Sequence, residues 1–386
     1  MELDQHAFYK LLLKDFPFTP TQKQDILLQQ LSAFLFEPKN NSIYVLKGFA
    51  GTGKTTVIGA IVKNLWKIKM SSVQLAPTGR AAKVISNYSD KPANTIHRKI
   101  YYPKKERGGG VSFTLQRNKH RNTIFIVDEA SMISDNASES KLFENGSLLD
   151  DLMSYVYSGH KCKLLLIGDQ AQLPPVKMDL SPALDERNLQ MQFDKTVKSI
   201  ELDEVMRQAE TSGILKNATR IREFLNDELY EDFRFDLSGQ NDVVRLIDGH
   251  EIMDALGDSY REYGNEGTAI IVRSNKRANL YIMVVKNNYF WLDTKSEAGF
   301  IANGDIIEIL EIFSIKELYG FRFAEVKIQM TDYPNLAPFE TVLLLDTLTS
   351  ETPSLSYEEG NKLYQEVMKD YADETSKYKK FMKVKN

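Results

Sequence analysis

Apolar residues fall into short runs separated by stretches of helical spacing, and this alternation covers most of the chain. Residues 42–46, 73–76, 123–127, 163–167, 243–247 and 268–272 are apolar, β-rich runs that end in turn-forming or charged residues. Runs with little polar alternation predict strands covered on both faces, which is the setting of a parallel sheet. Helical spacing over 54–68, 213–225 and 251–263 supplies the covering layers. The predicted class is therefore α/β with open parallel sheets, and functional residues are expected at strand carboxyl ends. Residues 98–121 break the rhythm: three glycines (108–110) separate stretches carrying Tyr101, Tyr102 and Phe113, which predicts an inserted hairpin.

At roughly 150 residues per domain, 386 residues suggest two or three domains. Hydrophobic residues at 42% exclude a disordered or fibrous chain. With 49 Lys plus Arg against 53 Asp plus Glu, bulk charge excludes a wholly basic nucleic-acid binder. A local basic surface stays open, because residues 98–121 hold eight Lys or Arg against Glu106 alone. Those charges also read as a solvated edge that resists strand pairing. Cys162 is the only cysteine, so neither an intrachain disulfide nor a thiolate zinc cluster can be built from this chain, and a reducing, cytoplasmic setting fits. No run approaches the roughly 18 apolar residues of a membrane span. The N-terminus carries Glu2 and Asp4 where a secretory signal wants positive charge, so the chain reads as intracellular with no membrane partner.

The run GFAGTGKT over 48–55 matches the phosphate-loop pattern G-x-x-x-x-G-K-[ST], between a predicted strand and helix as the mechanism requires. A glycine-rich structural turn is the bland reading, disfavoured by that context. Backbone amides of Gly48, Gly51, Thr52, Gly53, Lys54, Thr55 and Thr56 are the expected cradle, with the helix N-terminus facing the same anion. Lys54 is expected on the β- and γ-phosphates of ATP and Thr55 on Mg²⁺. The strand 123–127 delivers Asp128 and Glu129, the first suited to the Mg²⁺ shell and the second to deprotonating an attacking water. That pairing favours hydrolysis over a small-molecule kinase.

A third strand runs into GDQAQLPPV (168–176). This segment resembles motif III of superfamily 1 helicases, and DEAS (128–131) resembles their motif II; the RecD/Dda-like branch, which moves 5′-to-3′ on single-stranded DNA, fits best over nearly the whole chain. The resemblance implies an α/β P-loop NTPase of two RecA-like domains with ATP between them. It places domain 1A at 1–212 with a 1B hairpin near 98–121, an incomplete 2A at 213–295, and an SH3-like 2B insertion with a C-terminal helix at 296–386.

It also assigns roles. FTPTQ (18–22) resembles the Q-motif, so Gln22 is the adenine-binding candidate. Gln172 becomes the γ-phosphate sensor, although a capped loop is the alternative. EVMRQ (204–208) resembles motif IV and makes Arg207 the arginine finger; on residues alone it equally reads as a surface ion-pairing arginine. Pro77, Thr78 and Arg80 resemble motif Ia and Thr95 and His97 motif Ib, on the DNA track. His97 also reads as a satisfied turn or core histidine. Tyr101, Lys104 and Lys105 of the hairpin and Asn275 complete the DNA-binding candidates. The partners implied are single-stranded DNA and duplex junctions, protein partners being unassigned. The sequence departs from the family in lacking motifs V and VI and in the join at Tyr281 and Ile282. The expectation is a truncated or partly represented helicase, the alternative being an ATP- and DNA-binding module without productive unwinding.

Overall fold

The computed structural model describes residues 3–38, 41–89, 91–105, 111–135, 147–175, 178–204, 212–226, 234–238, 242–271, 307–330, 336–346 and 357–370. It forms two compact units, one of residues 1–77 and 81–247 and the other of 78–80 and 248–386.

The first unit opens with α1 (Gln5–Asp15) and α2 (Gln22–Phe36), followed by β1 (Ser42–Gly48), α3 (Lys54–Asn64) and β2 (Ser71–Ala76). Next come α4 (Gly79–Ser89), β3 (Ala93–Thr95), α5 (Ile96–Ile100), the strands β4 (Tyr101–Lys105) and β5 (Val111–Leu115), and β6 (Arg121–Val127). The unit continues with α6 (Leu148–Ser158), β7 (His160–Gly168), α7 (Glu186–Phe193), β8 (Thr196–Leu202) and α8 (Gly213–Asn226). Six strands make one sheet in the order β3-β2-β6-β7-β1-β8, with every pairing parallel.

Side-chain alternation along these strands builds two cores. Tyr44 and Leu46 of β1, Ile124 and Ile126 of β6, and Leu165 and Ile167 of β7 pack with α1, α2 and α3 on one face. Their neighbours Ile43, Val45, Phe125, Val127, Leu164 and Leu166 pack with α5, α6 and α7 on the other. Burial on both faces is why the strands carry almost no polar residues. Truncating Phe125, fully buried against the edge of Tyr155, costs about 3–5 kcal/mol.

Among the described residues, the second unit holds α9 (Gly249–Gly267), kinked at Gly264 with φ +69°, the antiparallel strands β9 (Ile307–Leu318), β10 (Phe321–Met330) and β11 (Phe339–Leu344), and α10 (Tyr357–Asp370). No helix among the described residues is long and apolar enough to cross a membrane.

Several expectations change. The helix expected over 54–68 ends at Asn64 and tightens into a 3₁₀ turn, Leu65–Ile68, closed by Lys69 at φ +55°. The segment expected as one hairpin over 98–121 begins inside helix α5 and ends at the start of β6, so the two-stranded ribbon is only β4 and β5. Residues 243–247 and 268–271 are not strands. Val244 (72% exposed) and Ile271 (95%) lie in no strand, so an apolar run alone does not make one. The rest of the expected domain 2A, with the join at Tyr281 and Ile282 and with Asn275, lies outside the described residues.

Candidate nucleotide site

Three strand ends meet at the carboxyl edge of the sheet, where β1 runs into the loop 48–53 and β6 and β7 end beside it. β1 and β8 approach so closely at Gly48 that a Cβ there would lie 2.7 Å from the Leu202 carbonyl. The loop turns through Gly51 and Gly53, both in the left-handed region (φ +83° and +84°) that only glycine adopts without strain. Gly53 is the N-cap of α3 and offers no side-chain cap, which leaves the helix N-terminus suited to receive an anion. Thr52 is buried and ties the turn, its hydroxyl donating to the Phe49 carbonyl at 2.8 Å.

Lys54 folds back over the loop and donates to the carbonyls of Gly48 (2.5 Å) and Phe49 (2.8 Å). Burial lowers its pKa, opposed by the nearby carboxylates Asp169, Asp128 and Glu129. The sequence pattern therefore places a cation and three acids together. Asp128 receives no strain: its N–H continues the sheet to the Leu75 carbonyl (3.0 Å), and its carboxylate accepts the Glu129 N–H (2.9 Å). Glu129 stands at φ +54°, a left-handed conformation costing roughly 1–3 kcal/mol for a non-glycine residue. Its carboxyl pKa is raised by burial first and by Asp128 second, while Lys54 and a hydrogen bond from Gln172 oppose the rise. Gln172 also accepts from the Ser131 hydroxyl (3.2 Å) and so links the β7 loop to the β6 loop. Thr55 and Asp128 face one small cavity with Lys54. A hydroxyl and a carboxylate are hard oxygen donors, which fits Mg²⁺, an ion that keeps most of its waters and takes few protein ligands.

Two residues that sequence reasoning missed complete the loop. Gln24, buried, donates to the Thr52 carbonyl (3.0 Å) and accepts from the Thr21 N–H (3.0 Å) in a capping box at the start of α2. The Thr-x-x-Gln spacing carried that signal. Gln22 stands exposed at the first position of α2. Arg222 of α8 stacks its guanidinium 4.2 Å from the Phe49 ring and adds positive potential at Lys54. Nothing local in sequence announces that contact.

The DNA-binding candidates divide. Ala76 at the end of β2 is in register with Thr95 at the end of β3, so Pro77 and Thr95 leave adjacent strand ends. Thr95 caps α5, accepting from the Arg98 N–H (3.3 Å). Pro77 and Thr78 are half-buried and Arg80 is exposed. His97 lies 5.8 Å from the Tyr101 ring, and burial lowers its pKa, keeping the imidazole neutral at pH 7. Tyr101 is buried, and its hydroxyl donates to buried Asp151 of α6 (2.6 Å), so its ring belongs to the core and is closed to base stacking. The exposed aromatic of the ribbon is its neighbour Tyr102. The backbone of Lys104 and Lys105 lies in β4. Arg207 lies outside the described residues.

A protein-family model, the AAA domain, matches residues 29–234. The chain belongs to the AAA domain family. Among curated proteins it is similar to the ATP-dependent RecD2 DNA helicase of Deinococcus radiodurans (29% identical over 203 residues, 52% of this chain and 24% of that protein). It is also similar to the ATP-dependent DNA helicase dda of Enterobacteria phage T4 (28% over 218 residues, 55% and 42%). The RecBCD enzyme subunit RecD of Buchnera aphidicola aligns at 30% over 158 residues, 36% of this chain and 24% of that protein. The chain spans between about a quarter and under half of the length of these relatives.

Proposed function

We propose that this chain is the ATP-hydrolysing part of a DNA helicase that moves along single-stranded DNA and opens duplex at a junction. The observation that carries the reading is the convergence of Lys54, Asp128, Glu129 and Gln172 on one phosphate loop, supported by the helicase relatives.

Phosphate oxygens dock on the loop amides and the α3 N-terminus, and Lys54 exchanges the Gly48 and Phe49 carbonyls for the β- and γ-phosphates. Thr55 and Asp128 would hold Mg²⁺, which neutralises charge on the β- and γ-oxygens when bound. Glu129, with its raised pKa, accepts the proton of the attacking water. Gln172, already bridging Ser131 and Glu129, senses whether the γ-phosphate is present. Gln22 reads the adenine edge with its paired donor and acceptor, and Arg207 serves as the arginine finger.

On the DNA side, Pro77, Thr78, Arg80, Thr95 and His97 line the track, His97 as a neutral hydrogen-bonding group. Lys104, Lys105 and Asn275 add phosphate or base contacts, and Tyr102 takes the stacking role first expected of Tyr101. The ribbon β4–β5 then corresponds to the 1B pin, the three-stranded sheet β9–β11 to 2B, and the domains divide near 212 and 295. Movement is 5′-to-3′.

The test is strand displacement on forked duplexes with a single 5′ or 3′ tail. ATP-dependent opening of the 5′-tailed substrate alone supports the proposal. ATP and DNA binding without displacement of either substrate refutes it in favour of a binding module.

A further inference from the structure

Gln74 interrupts an otherwise apolar stretch of β2, is 2% exposed, and neither its amide nitrogen nor its amide oxygen finds a hydrogen-bond partner. A buried amide in that state costs about 1–3 kcal/mol for each unmet group, so it persists only where something else makes use of it. The side chain is aimed into a cavity of about 10 Å³ lined by Lys54, Thr55 and Asp128 on its polar side and by Ile58, Ile126 and Ile167 on its apolar side. That volume suits about one water molecule, and a water needs two to four polar partners, which this lining offers.

The register explains how the amide reaches the site. Gln74 pairs with Ile126 of β6, two residues before Asp128, and the Asp128 N–H bonds to the carbonyl of Leu75, the next residue along β2. Alternation sends Val73 and Leu75 to the core on the opposite face and leaves Gln74 beneath the α3 N-terminus.

We infer that Gln74 is a positioning residue for the metal end of the nucleotide site: it holds one water in this cavity and through it orients the Thr55 hydroxyl and the Asp128 carboxylate. The inference rests on the proposed assignment of Mg²⁺ to Thr55 and Asp128. Outer partners of this kind, when removed, weaken metal affinity about 10- to 100-fold.

The test compares the full chain with Gln74→Leu and Gln74→Met, which conserve volume and remove the polar atoms. ADP binding is titrated by calorimetry at a series of Mg²⁺ concentrations and also in EDTA, and melting is followed without nucleotide. The expected result is a Mg²⁺ half-saturation raised about 10- to 100-fold, unchanged ADP affinity in EDTA, and a nucleotide-free melting temperature equal to or above that of the unaltered chain. Unchanged Mg²⁺ dependence in variants that melt normally overturns the inference. So does a lowered melting temperature in both variants, which would make the amide a structural group. If the unaltered chain binds no ADP under any condition, the nucleotide-site reading itself fails, and the inference with it.

Discussion

The two glutamines at the start of α2 separate a structural role from a recognition role, and replacing each with alanine tests the assignment. Gln24→Ala removes the bond to the Thr52 carbonyl and the bond from the Thr21 N–H, both 3.0 Å. Thr52 is 1% exposed, so its carbonyl is left without a partner at a cost of about 1–3 kcal/mol, and losing the cap bond adds about 1 kcal/mol. The sum, about 2–4 kcal/mol, corresponds to roughly 2–4 °C of melting temperature per kcal/mol for a domain of this size. Gln22→Ala removes an exposed side chain and should stay within about 0.5 kcal/mol of the unaltered chain while losing preference for ATP over GTP. Gly53→Ala makes a third corner, because its Cβ would sit 2.5 Å from Gln24 Nε2, at a φ of +84°. The Gln24→Ala/Gly53→Ala double variant should therefore lose less stability than the two single losses added together. Thermal and urea unfolding of the four variants beside the unaltered chain reads the stability changes, and titration with ATP and GTP reads the preference. Equal stability of Gln24→Ala and Gln22→Ala would refute the reasoning.

Three further outcomes follow from the site. Glu129 must be ionised to act as base and its pKa is raised, so hydrolysis should fall on the acid side through a pKa above the ordinary carboxylate value, as a pH series of kcat will show. Arg222→Ala removes a cation stacked on the phosphate loop and should weaken ATP binding roughly tenfold, about 1.4 kcal/mol, in a fluorescent-nucleotide titration, with melting nearly unchanged. Tyr101→Phe takes the hydroxyl from buried Asp151 and should destabilise by about 1.5–3 kcal/mol in urea while leaving affinity for single-stranded DNA intact; lost DNA affinity at unchanged stability would return Tyr101 to the track.

The sheet and the chemistry at its edge were legible because local pattern suffices for both. β1, β6 and β7 are continuous apolar runs that must be buried on two faces, and the phosphate loop and the Asp128–Glu129 pair follow them within a few residues. Residues 243–247 have the same apolar character without a paired strand, which composition alone cannot foresee. Tyr101 was assigned by its place in a basic ribbon, whereas Asp151, far along the chain, draws it into the core. Arg222 and Gln74 take places that only the folded chain creates: one reaches the loop from α8, and the other lines the cavity beside Thr55 and Asp128 through the register of β2 with β6. Gln24 stood between these cases, since its capping spacing was readable but its reach to Thr52 was not.

The measurement that bears most directly on a DNA-coupled ATPase is steady-state ATP hydrolysis with and without a single-stranded oligonucleotide, with Glu129→Gln alongside. The account predicts strong stimulation by the oligonucleotide, abolished in Glu129→Gln although that variant still binds ATP. Hydrolysis indifferent to DNA, or undiminished in Glu129→Gln, would contradict it.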